Sequence, residues 1–234
     1  IKNNVVIDDT DTSILASNVL NYVWKNLHER EKLVLRALAE SLGSESEEDF
    51  AEILRTEINY KNFKKAIKSL RKLNLIIQKR GTVYIELHPL VKEFIRYNYI
   101  SEERNVYISL LINYYDKMVV ILKPRLNDKL TYDELKSFTN KIELSINAKK
   151  YNDAIGHLLE IMTAMTNAGY IEEYLRVSKL LFDSITWKRK TILEYPQFDI
   201  LFIFITGVSF EYGDSEYSNE LIEKYENLFE KKEQ

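Results

Sequence analysis

Apolar positions recur along most of this chain at intervals of three and four residues, the spacing of helices with one buried face. Ile14, Leu15, Val19, Leu20, Val23, Trp24 and Leu27 predict a first helix behind a Ser13 cap. Leu33, Val34, Ala37, Leu38 and Leu42 predict a second over 29–42, with acidic residues in its first turn, where the helix dipole favours them, and Gly43 at its end. Ser46-x-x-Asp49 has the form of a capping box and leads a short helix carrying Phe50, Ile53 and Leu54. Asn59 caps a third main helix, in which Phe63, Ala66, Ile67, Leu70 and Leu73 make the apolar stripe. The period then falls to about two across 75–78 and 83–87, with Gly81 in the turn between them, which predicts a β-hairpin. Three helices followed by a hairpin make a winged helix. Pro89 opens one more helix carrying Leu90, Val91, Phe94 and Ile95.

From Ser101 onward the pattern is helical throughout. One helix runs from about 102 to 123 and is stopped by Pro124; Thr131-x-x-Glu134 caps the next. Others start near Tyr151, Ile171, Gln197 and Ser215, and short breaks at Lys149-Lys150, Ala168-Gly169 and Tyr212-Gly213-Asp214 join them as hairpins. The starts are too uneven for a strict repeat but suit stacked helical pairs. The fold class expected is mostly α: a polar linker over 1–13, a winged helix over 14–100, and a tetratricopeptide-like α-solenoid over 101–234.

Composition agrees. Glycine and proline number 6 and 3 in 234 residues, far below the roughly 12% of an average protein. There is no cysteine, so a disulfide framework, a thiolate nucleophile and a zinc–thiolate cluster are excluded, and a reducing, cytoplasmic compartment is expected. The chain opens on Ile1 without a signal pattern and reads as a piece of a longer protein. The longest apolar run, 200–210, is shorter than the roughly 20 residues that cross a bilayer, and no membrane partner is expected. Net charge is -3, which argues against a wholly basic surface while leaving local patches open.

Catalytic motifs are missing. The six glycines never take the G-x-x-x-x-G-K-[ST] or G-x-G-x-x-G spacing that cradles phosphate, and His28, His88 and His157 stand singly. The segment is expected to be non-catalytic, with no cofactor of its own. One polarity stands out: 60–85 holds eight basic residues and no acidic one, whereas 29–57 holds nine acidic and four basic. Lys61, Lys64, Lys65, Lys68, Arg71 and Lys72 lie on the third helix, with Lys79 and Arg80 in the hairpin turn. In winged-helix DNA readers these are the elements that meet the groove and the phosphates, and Asn62 is the one obvious base-reading side chain. The bland alternative is a solvated lysine face. His88, at the junction of the hairpin and the next helix, reads either as a cap or as a polar group facing an anion.

The words around His88 carry a resemblance. Glu29-Arg30-Glu31-Lys32-x-Val34-Leu35-x-Ala37-Leu38-Ala39, together with Ile85-Glu86-Leu87-His88-Pro89-Leu90-Val91-x-Glu93-Phe94-Ile95, resembles the winged-helix domain of STAND-type signal-transduction ATPases. In that family the domain follows a P-loop ATPase module, and a His in a Met-His-Asp-like motif after the wing contacts bound ADP. The resemblance implies that role for His88, with ADP or ATP held by an upstream ATPase module of the full-length protein. Leu87-His88-Pro89 departs from the motif, so no role of its Asp carries over. Family members commonly continue into leucine-rich or tetratricopeptide-type repeats that bind a ligand or protein partner, which is what 101–234 resembles.

Two functions are therefore expected as alternatives: the regulatory and protein-interaction portion of a STAND-like NTPase, or a DNA-binding regulator with a helical effector domain. The helix over 197–211 carries Phe198, Ile200, Leu201, Phe202, Ile203, Phe204, Ile205 and Val208 and leaves almost no polar face. It is expected to be a fully buried inner helix, with a homo-oligomer contact as the alternative.

Overall fold

A computed structural model describes residues 9–78, 81–126 and 130–230. Twelve α-helices and three short strands are present among them, in two compact units that divide at Leu110/Leu111.

The first unit holds α1 (Asp9–Asn26), α2 (Glu29–Glu40), β1 (Glu45–Ser46), α3 (Glu47–Ile53), α4 (Tyr60–Lys72), β2 (Ile76–Gln78), β3 (Tyr84–Leu87), α5 (Pro89–Asn98) and the start of α6 (Ser101–Leu122). Its core joins Val34, Leu35 and Leu38 of α2, Phe50 of α3, Phe63, Ile67 and Leu70 of α4, Ile85 of β3 and Ile95 of α5, all essentially inaccessible to water. The stripes read from the sequence on α2, α3, α4 and α5 supply these residues, but Val19, Leu73 and Leu90 of the expected stripes remain exposed, and α1 starts at Asp9, so Ser13 lies within the helix rather than capping it. β2 and β3 form the expected antiparallel hairpin, Ile77 opposite Glu86, with Gly81 at φ 75 in the turn. The pattern did not predict β1, which pairs with the other edge of β3 (Glu45 opposite Ile85) to give the order β1-β3-β2. A two-residue strand has no period to detect.

Side-chain caps set the starts of α3 and α4. The Asn59 side chain accepts the Asn62 N–H (2.9 Å), and Ser46 Oγ accepts the Asp49 N–H (3.0 Å). The Asp49 carboxylate takes the Ser46 hydroxyl rather than its backbone N–H, so the box is only half formed. α2 ends two residues before Leu42, because Ser41 Oγ bonds the Leu38 and Gly43 carbonyls and competes with the helix.

The second unit holds the rest of α6, a 3-10 turn at Lys123–Arg125, then α7 (Tyr132–Asn147), α8 (Tyr151–Asn167), α9 (Ile171–Ser184), α10 (Arg189–Ile192), α11 (Phe198–Glu211) and α12 (Ser215–Glu230). α7 packs on α8 and α9, α8 on α9, and α11 on α8, α9 and α12, the pattern of stacked helical hairpins. Phe138, Ile142, Leu158, Ile161, Tyr174, Phe182, Phe198, Leu201, Ile205 and Leu221 fill the interior. Tyr174 lies wholly buried among them, and its hydroxyl donates to the Leu158 carbonyl (3.1 Å). α10 was not expected; the indole of Trp187 donates to the Phe182 carbonyl (2.8 Å) and packs on the rings of Phe182 and Phe198 just before it.

α11 departs from the expectation of full burial. Phe202 stacks on Tyr225 of α12, and Phe204 meets Tyr174 of α9, but Ile200, Ile203 and Phe210 remain 59%, 69% and 64% exposed. Its neighbours cover three sides of the helix and leave the fourth open. Among the described residues, no helix is long and apolar enough to cross a membrane.

Candidate functional site

His88 caps α5. Its backbone N–H donates to the Leu75 carbonyl (3.2 Å), which anchors the junction to the hairpin, and its ring Nδ1 accepts the Leu90 N–H (3.3 Å). With Nδ1 accepting, a neutral ring carries its proton on Nε2, which is then a donor. The side chain is half-buried. α5 in turn clasps the C-terminal end of α2, where Lys92 Nζ reaches the Ser41 carbonyl (2.7 Å) and Arg96 Nε the Ala39 carbonyl (2.8 Å). At the head of α6, Arg104 grips the buried Glu40 carboxylate through two bonds (2.7 and 2.9 Å), and these raise the pKa of the guanidinium. A continuous run of polar contacts therefore leads from the α5 cap to the end of α2 and the start of α6.

The basic helix sorts into two groups. Lys64 and Arg71 both turn to Glu47, the buried first residue of α3. Burial alone would raise the Glu47 pKa; the hydrogen bonds and charges of Lys64 and Arg71 outweigh it and hold the carboxylate below its ordinary value. Lys61, Lys65, Lys68 and Lys72, spaced by four, three and four residues, share one exposed stripe, and no ion pair to them is present among the described residues. Lys79 and Arg80 lie outside the described residues. Asn62 stands to one side of the stripe and lines a cleft of about 420 Å³ with Arg30, Arg36, Tyr99 and Tyr107. There the Arg36 guanidinium is sandwiched between the Tyr99 and Tyr107 rings, 3.9 and 4.9 Å from their centroids. The structure thus brings together four of the predicted cations, diverts two into an internal clamp and sets Asn62 apart. Glu47 escaped sequence reasoning because its partners lie 17 and 24 residues away; the Ser46-x-x-Asp49 signal had marked its neighbourhood only as a helix start.

In the second unit His157 sits beside Glu160 (3.4 Å), which also pairs with Lys123, while Lys141 pairs with Asp116. Burial and the nearby Lys141 charge lower the His157 pKa despite Glu160. No group of three or more His, Asp or Glu side chains is placed to hold a metal ion among the described residues. Compared with protein-family models, curated proteins and solved structures, the chain gives no match. It is a mostly helical protein with a small three-stranded antiparallel sheet near its N-terminus.

Proposed function

We propose that this chain is the non-catalytic regulatory and protein-interaction portion of a STAND-like signal-transduction NTPase. Its winged-helix unit would report the nucleotide state of an upstream ATPase module, and its helical hairpins would bind a partner. The observation that supports this reading is the setting of His88: a half-buried imidazole at the end of the hairpin, its Nδ1 occupied by the Leu90 N–H and its Nε2 left as the donor a phosphate oxygen needs. To act as a sensor, the ring must favour the ADP-bound state over the ATP-bound one, since equal affinity for both shifts nothing. His88→Ser in the full-length protein separates cap from sensor, because serine caps a helix as well as histidine does but offers no ring donor. The expected outcome is faster ADP release and raised basal activity with an unchanged melting midpoint. Unchanged ADP retention and activity would sink the proposal.

A second reading has its own observation, the stripe of Lys61, Lys65, Lys68 and Lys72. It supports docking on the phosphates of DNA, with positioning contacts rather than base readout. Titration against duplex DNA at several salt concentrations is the test. Four neutralised phosphates predict a log–log slope of about -3.6, and Lys65→Ala/Lys68→Ala should lower it by about 2. Binding without a salt slope, or no binding at low salt, removes this reading.

A further inference from the structure

At one end of the helical unit, tyrosines from three separate segments meet. Tyr132 opens α7, Tyr170 precedes α9 and Tyr212 follows α11, and they line a pocket of about 460 Å³ together with Glu172, Glu173 and Arg176. That volume lies within the roughly 300–1,000 Å³ of small-molecule sites. Local structure fixes the root of each ring. The Thr131–Glu134 capping box sets Tyr132 in the first turn of α7, the Tyr170 N–H donates to the Met165 carbonyl (2.9 Å), and the Tyr212 N–H donates to the Val208 carbonyl (3.0 Å). The Tyr132 and Tyr170 rings stand 5.4 Å apart, centre to centre, and are inclined at 62°, so they form a corner. Tyr132 and Tyr212 are 40% and 56% exposed.

Carboxylates dominate the charge around this corner. Segments 131–134, 167–173 and 211–216 hold seven acidic residues and no basic one. Of the cations on the adjoining turns, Arg125 is paired with Glu134, Arg176 with both Glu173 and Glu143, and Lys179 with Asp214. Among the described residues, no ion pair engages Asp133, Glu172, Glu211 or Glu216, and none engages Lys136, which leaves four open carboxylates against one open ammonium. Asp128 and Lys129, outside the described residues, add one charge of each sign. The starts of α7 and α9 and the ends of α8 and α11 border the pocket, so the helix dipoles largely offset one another there. Burial and then the Glu173 charge raise the Tyr132 pKa, with Arg176 opposing and Asp133 adding, so carboxylates outweigh the guanidinium at that ring. Elsewhere Arg36, Lys64, Lys179, Arg189 and Lys224 each lie over an aromatic ring, but no cation of the described residues lies over Tyr132, Tyr170 or Tyr212.

Ring faces carry negative charge, and a corner of rings rimmed by open carboxylates suits a cation. A guanidinium is flat and takes a ring on each side, as Arg36 does between Tyr99 and Tyr107. A primary ammonium is strongly hydrated and holds its water. A quaternary ammonium is round and donates no hydrogen bond, so ring faces are its best partners. We propose that the Tyr132–Tyr170–Tyr212 pocket binds a quaternary ammonium group. The inference goes beyond both readings above: it uses neither His88 nor the lysine stripe, so it and they can fail separately.

Calorimetric titration of the full chain with choline, beside its uncharged isostere 3,3-dimethylbutanol, is the test. Choline should bind saturably and the isostere at least about tenfold more weakly, since only the cation is drawn to the ring faces. Tyr132→Leu and Tyr212→Leu, which keep an apolar side chain at exposed positions, should each weaken choline about tenfold, while Tyr212→Phe should retain binding. Glu172→Gln should weaken it severalfold and flatten its salt dependence. A peptide carrying one trimethyllysine, run beside its unmethylated form, separates the sources of the group: binding tighter than choline assigns it to a modified protein side chain, and weaker binding assigns it to a free small molecule. No saturable binding of choline, equal binding of choline and the isostere, equal binding of the two peptides, or binding indifferent to both leucine variants overturns the proposal.

Discussion

Glu47 shows how one residue divides a charged surface. Its carboxylate takes Lys64 and Arg71 out of the basic face of α4 and leaves the four-lysine stripe as the exposed part. Glu47→Gln should cost about 2 kcal/mol in chemical denaturation, the scale of a lost charge-assisted hydrogen bond at a partly buried site. It should also strengthen DNA binding, if the stripe binds DNA, by returning two cations to that surface. The pH dependence has a definite sign. The folded pKa lies below the ordinary 4.5, so the stabilisation is complete above about that pH and is lost as pH falls through the lower folded value. His157 behaves likewise in a higher window: its folded pKa is below 6.5, so its contribution is present above that pH and declines as acid protonates it in the unfolded chain first. An acid titration of stability should therefore lose a first increment below about 6.5, absent in His157→Phe. The glutamate clamp and the arginine sandwich at Tyr99 and Tyr107 join residues distant in sequence, so no local pattern announces them. His88 was legible because its role as a cap is local.

At the scale of elements, four connections close alike. After α4, α7, α8 and α11 one residue takes positive φ (Asn74, Lys149, Gly169 and Gly213), and the next N–H reaches back to the helix, as Lys150 does to the Ser145 carbonyl (2.8 Å). Gly169 and Gly213 were readable as breaks for this reason. Lys149 marked its break only by interrupting the apolar pattern, since lysine carries no turn signal. Because a Cβ at positive φ costs about 1 kcal/mol, Lys149→Gly should raise the stability of the helical unit by roughly that amount in a melting experiment. Helix existence and facing were legible because burial imposes the period that the sequence carries. β1 and α10, of two and four residues, are shorter than any period and are held by tertiary contact instead. The open side of α11 was not legible either: an apolar helix says that it needs cover, while the number of neighbours available to cover it depends on the packing of α8, α9 and α12.

For the whole molecule, charge is segregated along the chain. Residues 60–85 are basic without an acid, and 194–230 are acidic with a single lysine. Lys188, Arg189 and Lys190 precede the acidic stretch and Lys231 and Lys232 follow it, so the polarity is one of local stretches, and any binding to the 60–85 stretch should weaken with salt. If the first unit reports the nucleotide state of an ATPase module, as proposed, the reading frame that encodes residues upstream of Ile1 tests it most directly. A G-x-x-x-x-G-K-[ST] loop followed by an acidic strand is the predicted result. A frame without that loop, or one that opens at Ile1, would contradict the account.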